Sequence, residues 1–370
     1  MKADEYESIT LAVAGQFQAR QGDAKGAIQT LSQAIAICER GGFERALDES
    51  RIALAEIYSS QGQFGEAEQL LSAAAAASQR DGELYTLPRH IGTLAGVQVR
   101  EGKFSEADRT YDRAAAFIDA SIGNDPAMLD KTALIKSASN LYVAHFRLLT
   151  ERLHNPAKAY SVVEQVRGRI LTDMLLGGSA TSLKAEENER AISSLRLQLT
   201  NAGSTSDVER IRERIAMLEQ SRWITPDVSI LKGRSYSHVT LGSVQHALNS
   251  HALIIEYVLD DPASWCVVIS RDSIHVIRLA GKKTIEAKLS AYLHAVKQKQ
   301  RSQPAARALY ELLLKPVRPS ADVRDLLIVR DGALNLLPFD ALQDHSGRYV
   351  RENTTISYLP AAGSFYLLAE

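Results

Sequence analysis

Gly22, Gly62 and Gly102 stand 40 residues apart, and the residues around them recur with the same period. Five positions after each glycine come Ala27, Ala67 and Ala107; nine after come Leu31, Leu71 and Tyr111; twelve after come Ala34, Ala74 and Ala114. Eight before each glycine come Ala14, Leu54 and Leu94, and seven before come Gly15, Ala55 and Ala95. Small residues at fixed offsets on two successive helical patterns let paired helices approach closely, and the larger residues fill the gap between them. The glycine ends the first helix of each pair by supplying a left-handed backbone at its C-terminus. One such hairpin buries too little surface alone, so a stack of hairpins has to supply the core. A period of this length therefore confines the first half of the chain to an α-solenoid.

The turns Gly62-Gln-Phe-Gly-Glu-Ala67 and Gly102-Lys-Phe-Ser-Glu-Ala107 resemble those of tetratricopeptide (TPR) repeats, in a long form. A fourth, degenerate unit follows, with His154 where the glycine would be and Ala159 and Val166 at the alanine positions. The resemblance implies a concave groove that takes a protein or peptide partner. A spacer whose groove is filled by the chain itself is the other reading. Arg51, Tyr58, Arg89 and Gln98 are exposed-face candidates on the first helices, without assignment to the groove.

At 370 residues the chain exceeds one ordinary domain. Lys and Arg number 43 against 44 Asp and Glu, so no basic field points to nucleic acid. The N-terminus lacks the apolar core of a signal peptide, and no run approaches the ~18 apolar residues of a membrane span. Cys38 and Cys266 lie far apart, which disfavours a disulfide and suits a reducing, cytoplasmic setting. No nucleic-acid or membrane partner is expected.

Residues 156–176 carry a helical stripe of Val162, Val163, Val166, Ile170 and Met174. A linker follows at Gly177-Gly178, and then two helical patterns within 183–222, broken at 201–206. Ile192, Leu195 and Leu199 mark the first, Ile211, Ile215 and Leu218 the second. Beyond them Leu253–Leu259 reads as a buried strand. Residues 265–270 and 274–279 read as a hairpin about Arg271–Ser273, 283–299 and 304–314 as helices, and 326–330 and 356–359 as strands. Strands alternating with helices argue for an α/β sheet.

The segment Asp331-Gly-x-Leu-x-x-Leu-Pro-Phe-x-x-Leu342 resembles the first half of a CHAT domain, the caspase-like domain that accompanies TPR arrays. Asp331, Gly332, Leu334, Pro338, Phe339 and Leu342 are the matching residues. The same family carries a Glu…Arg-x-Arg…Asp segment on its last repeat helix, matched here by Glu164, Arg167, Arg169 and Asp173. Intrahelical pairs at i,i+3 and i,i+4 are one reading of these four, and docking against the following domain is the other. The expected fold is thus α plus α/β: TPR-like repeats over 1–176, a helical hairpin connector over 177–237, and the N-terminal half of a caspase-like domain over 238–370.

The resemblance implies a His-Cys dyad of cysteine peptidases, in a His-Gly context and at the end of a later strand, beyond Glu370. No catalytic residue is therefore expected in this chain, and the sheet is expected to end on an open edge. Cys266 and His275 fall on partner strands, Cys266 opposite a residue near Arg278 and His275 nearer Ile269, too far apart for a nucleophile and base. His145, His238, His246, His251, His294 and His345 show no metal-ligand spacing, and no Gly-rich phosphate loop is present, so no metal or cofactor is expected.

Overall fold

The computed structural model describes residues 2–80, 86–124, 131–176, 194–195, 198, 211, 214, 239–320 and 322–369; side chains of residues 2, 119–124, 131–138 and 169–176 lie outside the description. The chain divides into two compact units, Met1–Asn155 and Pro156–Glu370.

The first unit is a run of antiparallel helices: α1 (Lys2–Arg20), α2 (Ala24–Gly41), α3 (Glu44–Ser60), α4 (Phe64–Arg80), α5 (Leu87–Glu101), α6 (Phe104–Asn124) and α7 (Lys131–Glu151). Gly22, Gly62 and Gly102 follow α1, α3 and α5 with φ of 87°, 80° and 89°, the left-handed conformation the 40-residue spacing predicts. His154 takes φ 48° at the position where the fourth unit lacks the glycine. The repeated alanines at 27, 67, 107, 34, 74 and 114 are fully buried, as are Leu31 and Leu71. At Gly15 an added Cβ would stand 2.7 Å from Leu31 Cγ, so the glycine is what lets α1 and α2 close on one another. Asp23 caps α2 by accepting from the Gly26 N–H at 2.9 Å. The odd-numbered helices form one layer, with α1 against α3, α3 against α5 and α5 against α7.

The second unit opens with α8 (Pro156–Leu176) and continues with α9 (Leu241–Ala247), β1 (Ala252–Val258), β2 (Ala263–Ile269), β3 (Ile274–Ala280), α10 (Lys282–Lys297), α11 (Gln303–Leu313), β4 (Asp325–Val329), β5 (Thr355–Leu359) and α12 (Ser364–Ala369). The strands form one mixed sheet in the order β3-β2-β1-β4-β5. β1 is antiparallel to β2 and β2 to β3, whereas β1, β4 and β5 run parallel. Every residue of β1 and β2 is buried, the mark of strands covered on both faces. Leu253, Ile255 and Tyr257 pack with Ile285, Leu289 and Tyr292 of α10 and Leu309 and Leu313 of α11. The alternate residue Glu256 meets α8, which also touches β3 and α9.

Two placements differ from the sequence reading. The helix 156–176, assigned above to the repeats, belongs by its contacts to the sheet unit. Cys266 faces Ile277 and His275 faces Val268, one residue from the expected register. The reason is that Ser270 joins the turn, its N–H donating to Ser273 O at 2.9 Å, so four residues rather than three separate the strands. Most of the expected connector, 177–237, lies outside the described residues.

Candidate functional site: a buried ionic node under α8

The carboxyl ends of β1, β4 and β5 point to one edge of the sheet, because the three strands are parallel. In open α/β sheets that edge is where ligands are received. Here it receives side chains of α8. Arg167 donates to the Glu256 carboxylate of β1, and its second terminal nitrogen donates to Tyr257 O at 2.5 Å. Asp331, in the residues after β4, stands 3.9 Å from Arg167 and accepts from the Leu259 N–H at 2.7 Å. One turn earlier on α8, Glu164 accepts from the Gly363 N–H at 3.1 Å, in the residues after β5. Three strand ends are thereby tied to two side chains of one helix.

Burial sets the electrostatics. Glu256 is fully buried and Glu164 is 5% exposed. Three carboxylates surround one guanidinium, so a fully ionised node would carry excess negative charge in a poorly solvated place. Burial pushes Glu256 above the usual carboxylate range; Arg167 opposes the shift, and Glu164 and Asp331 add to it. Burial alone would lower the Arg167 guanidinium, but Glu256, Asp331 and Glu164 outweigh it and hold the proton more firmly. Tyr160, one turn before Glu164 on α8, is raised by burial, with Glu164 and Glu256 adding.

The folded state holds the Glu256 proton more tightly than the unfolded chain, whose carboxylate titrates near ~4.3. The contribution of this group is therefore full below that pH and is lost as pH rises through the raised folded value. Urea midpoints of the wild type are expected to fall with rising pH across this window more steeply than those of Glu256→Gln. Parallel pH profiles for the two proteins would rule this out.

The structure distributes the motif residues between this node and the core. Glu164, Arg167 and Asp331 come together in it, Arg167 held by Glu256 and Tyr257 of β1 and Glu164 by the Gly363 N–H. Arg169 and Asp173 lie on α8 with side chains outside the described residues. Gly332 has φ 50° and opens a 3-10 turn over Gly332–Leu336, Pro338 precedes another over Phe339–Ala341, and Leu334, Phe339 and Leu342 are fully buried. Glu256 was not singled out from sequence. Its signal was a lone carboxylate inside the apolar run Leu253–Leu259.

Cys266 is fully buried, and burial pushes its thiol up to about 12. Asp108 and Asp112 of α6 and His145 of α7 form the single trio among the described residues with potential metal-ligand atoms all within 4.8 Å of one another. Sequence spacing hid this trio, since the helices bring together residues 37 apart. Asp108 Oδ1 already holds His145 Nε2 at 2.7 Å and Tyr111 stacks on the imidazole at 5.0 Å, so the trio reads as an internal hydrogen-bonded cluster.

In the first unit, α1, α3 and α5 line an open cleft of about 520 Å³. Its floor is Ala19, Ile52, Ala53 and Ile57, and its rim includes Arg20, Glu49, Glu56 and Arg89. Of the four surface candidates, Arg89 lies on this rim, 2.6 Å from Glu49. Arg51 pairs instead with Glu39 at 3.2 Å, Tyr58 packs into the core, and Gln98 is buried with its amide donating to Glu106 at 3.1 Å.

Comparison with known proteins agrees with these two parts. A family model described as a tetratricopeptide repeat matches residues 18–91, and one described as a CHAT domain matches residues 303–369. Among solved structures, nearly identical TPR-like repeats of a Podosopora anserina kinesin light chain are similar at 16% identity with a TM-score of 0.35, covering 61% of this chain and 100% of that one. No curated protein matches the chain. No helix among the described residues is long and apolar enough to cross a membrane.

Proposed function

We propose that this chain, which joins tetratricopeptide repeats to CHAT-domain sequence, is a recognition and regulatory module rather than a catalyst: the repeats bind a protein or peptide segment, and α8 conveys the bound state to the sheet. The observation that carries the reading is the cleft on α1, α3 and α5. It has an apolar floor and a rim of both charge signs, suited to an extended segment with apolar and charged side chains. Regulation rests on α8 following the repeats directly in sequence while its side chains tie down three strand ends. A ligand with different affinity for two states of that helix would shift their populations.

The non-catalytic part of the proposal draws on Cys266, whose buried, raised thiol is a poor nucleophile. Its strand neighbour is Ile277, not a base. CHAT domains resemble cysteine peptidases, so membership of a working peptidase is the second reading, favoured by the match over 303–369. Two free, buried thiols fit a reducing cytoplasm as its setting.

The test is selection of peptides from a display library on the full chain, followed by titration against Thr93→Arg, which fills the cleft from α5. Affinity is expected to fall by about tenfold or more. Equal binding by Thr93→Arg would remove the cleft from the reading. Specific peptide cleavage by the chain, abolished in Cys266→Ala, would overturn its non-catalytic part.

A further inference from the structure

A second cleft, of about 490 Å³, runs between α4 and α6 with α5 as its floor. Leu87, Ile91, Leu94 and Gln98 of α5 face it, whereas Arg89 and Thr93 of the cleft described above lie on the opposite side of the same helix. The 40-residue period shows why the space is open here. One repeat earlier the equivalents of Ala75, Gln98 and Thr110 are Ile35, Tyr58 and Leu70, all packed on the core. Smaller or polar side chains at these three positions leave the walls apart. On the α6 wall Arg109 and Arg113 replace Gln69 and Ala73 of the preceding repeat. Both are exposed, and neither has a partner among the described residues. The acidic residues beside them in sequence, Asp108 and Asp112, turn instead toward His145, 2.7 and 4.0 Å from its Nε2. The carboxylates that line the cleft are engaged at its other end, Glu68 with Lys103 at 3.0 Å and Glu106 with the Gln98 amide at 3.1 Å. Gln98 is 4% exposed, and its Oε1 has no partner among the described residues.

We propose that this cleft binds an extended acidic peptide segment of a partner protein, the Arg109 and Arg113 guanidiniums taking two of its carboxylates. The spacing fits. Four residues of helix put the two arginines about 6 Å apart along α6, and side chains two residues apart on an extended chain stand about 6.5 Å apart. Two acidic residues separated by one are therefore matched, and each carboxylate can take a two-pronged contact from its guanidinium. Beside them Ile91 and Leu94 offer an apolar floor to an aliphatic side chain of the same segment, and Gln98 Oε1 is an acceptor for one of its N–H groups. A phosphate backbone is not matched, since Glu68 and Glu106 line the same cleft and repel it.

Selection from a random peptide display library on the full chain carrying Thr93→Arg, which closes the other cleft, tests this site separately from the function proposed above. Retained peptides are expected to carry acidic residues two apart beside an aliphatic one. Arg109→Glu with Arg113→Glu is expected to weaken binding of a retained peptide by about tenfold or more, with circular dichroism and melting unchanged because both sites are exposed. Replacing the acidic pair of the peptide with lysines should restore binding to that variant, and added salt should weaken the original pairing. Retention of no peptide, retained peptides without acidic pairs, binding indifferent to the two glutamates, or failure of the reversal would each overturn the proposal. Binding that appears only after Asp81→Asn with Glu83→Gln would also overturn it, assigning the cleft to the chain's own segment 81–85.

Discussion

Replacing Arg167 with alanine is expected to lower the unfolding free energy of the sheet unit by about 3–5 kcal/mol, the scale of a broken buried ion pair. The loss is large because of what stays behind. Glu256 remains fully buried without its partner, and Tyr257 O loses a donor. An exposed intrahelical pair would be worth only about 0.3–0.5 kcal/mol. The folded wild type already holds the Glu256 proton well above the usual carboxylate range, so the loss should be smaller near pH 5, where the group is neutral, than near pH 8, where its carboxylate forms and needs the guanidinium. Arg167→Lys should recover only part, since a lysine is a point charge without the fork that reaches a carboxylate and a carbonyl together. Arg167→Met combined with Glu256→Leu should cost much less than either change alone, because a pair replaced whole leaves no orphan. Urea unfolding followed through Trp265 of β2, in a Trp223→Phe background, isolates the sheet unit. A loss under about 1 kcal/mol for Arg167→Ala would mean that α8 is held by its apolar stripe and not by the node.

The second large effect belongs to Phe339. Phe339→Ala is expected to cost about 3–5 kcal/mol, the usual range for removing a buried aromatic ring. The ring is fully buried, 5.5 Å from that of Tyr257 and 6.5 Å from that of Tyr358. Its own N–H donates to the Tyr358 hydroxyl at 2.9 Å, and Arg330 lies 4.1 Å from the face of the Tyr358 ring. Phe339 therefore joins the centre of the sheet to its edge strand β5. Hydrogen exchange should show the amides of β5 losing protection first, while β1 and β2, buried on both faces, hold theirs. Phe339→Leu should lose less than half as much. Uniform loss of protection across all five strands would show that Phe339 supports the whole sheet and not the β5 edge.

The repeat unit was legible in the chain because its information is local. A glycine needing φ near 80° and alanines at helix contacts recur every 40 residues, and the structure places both as the spacing requires. The strands were legible as apolar runs, since burial on both faces leaves a continuous signature. What could not be read is long-range. Glu256 and Arg167 are 89 residues apart, and Glu164 and Gly363 are 199 apart. No spacing rule links them; only the sheet order does. The i,i+3 interval between Glu164 and Arg167 even offered a plausible local partner, although the contacts that place these side chains are with β1, with the residues after β4 and with those after β5. The hairpin register slipped for a smaller reason, because one serine belongs to a turn and not to a strand. In the motif 331–342, sequence marks Asp331 and Phe339 alike, whereas structure gives one to the node and the other to the core.

Helix α8 carries the rhythm of the repeats in its sequence and the contacts of the sheet in its fold. Recombination that lengthens or shortens a repeat array exchanges whole hairpins, and such exchange is neutral only at seams where no side chain is committed elsewhere. A crossover after Leu176 would deliver an arginine and a glutamate to a foreign array and strand Glu256 in the sheet it left. A crossover at Asn155 would carry the helix with its counter-charges. The heritable seam of this protein therefore falls one helix before the point where its repeating pattern ends, and grafts of new repeats onto the sheet should succeed or fail according to which seam they respect.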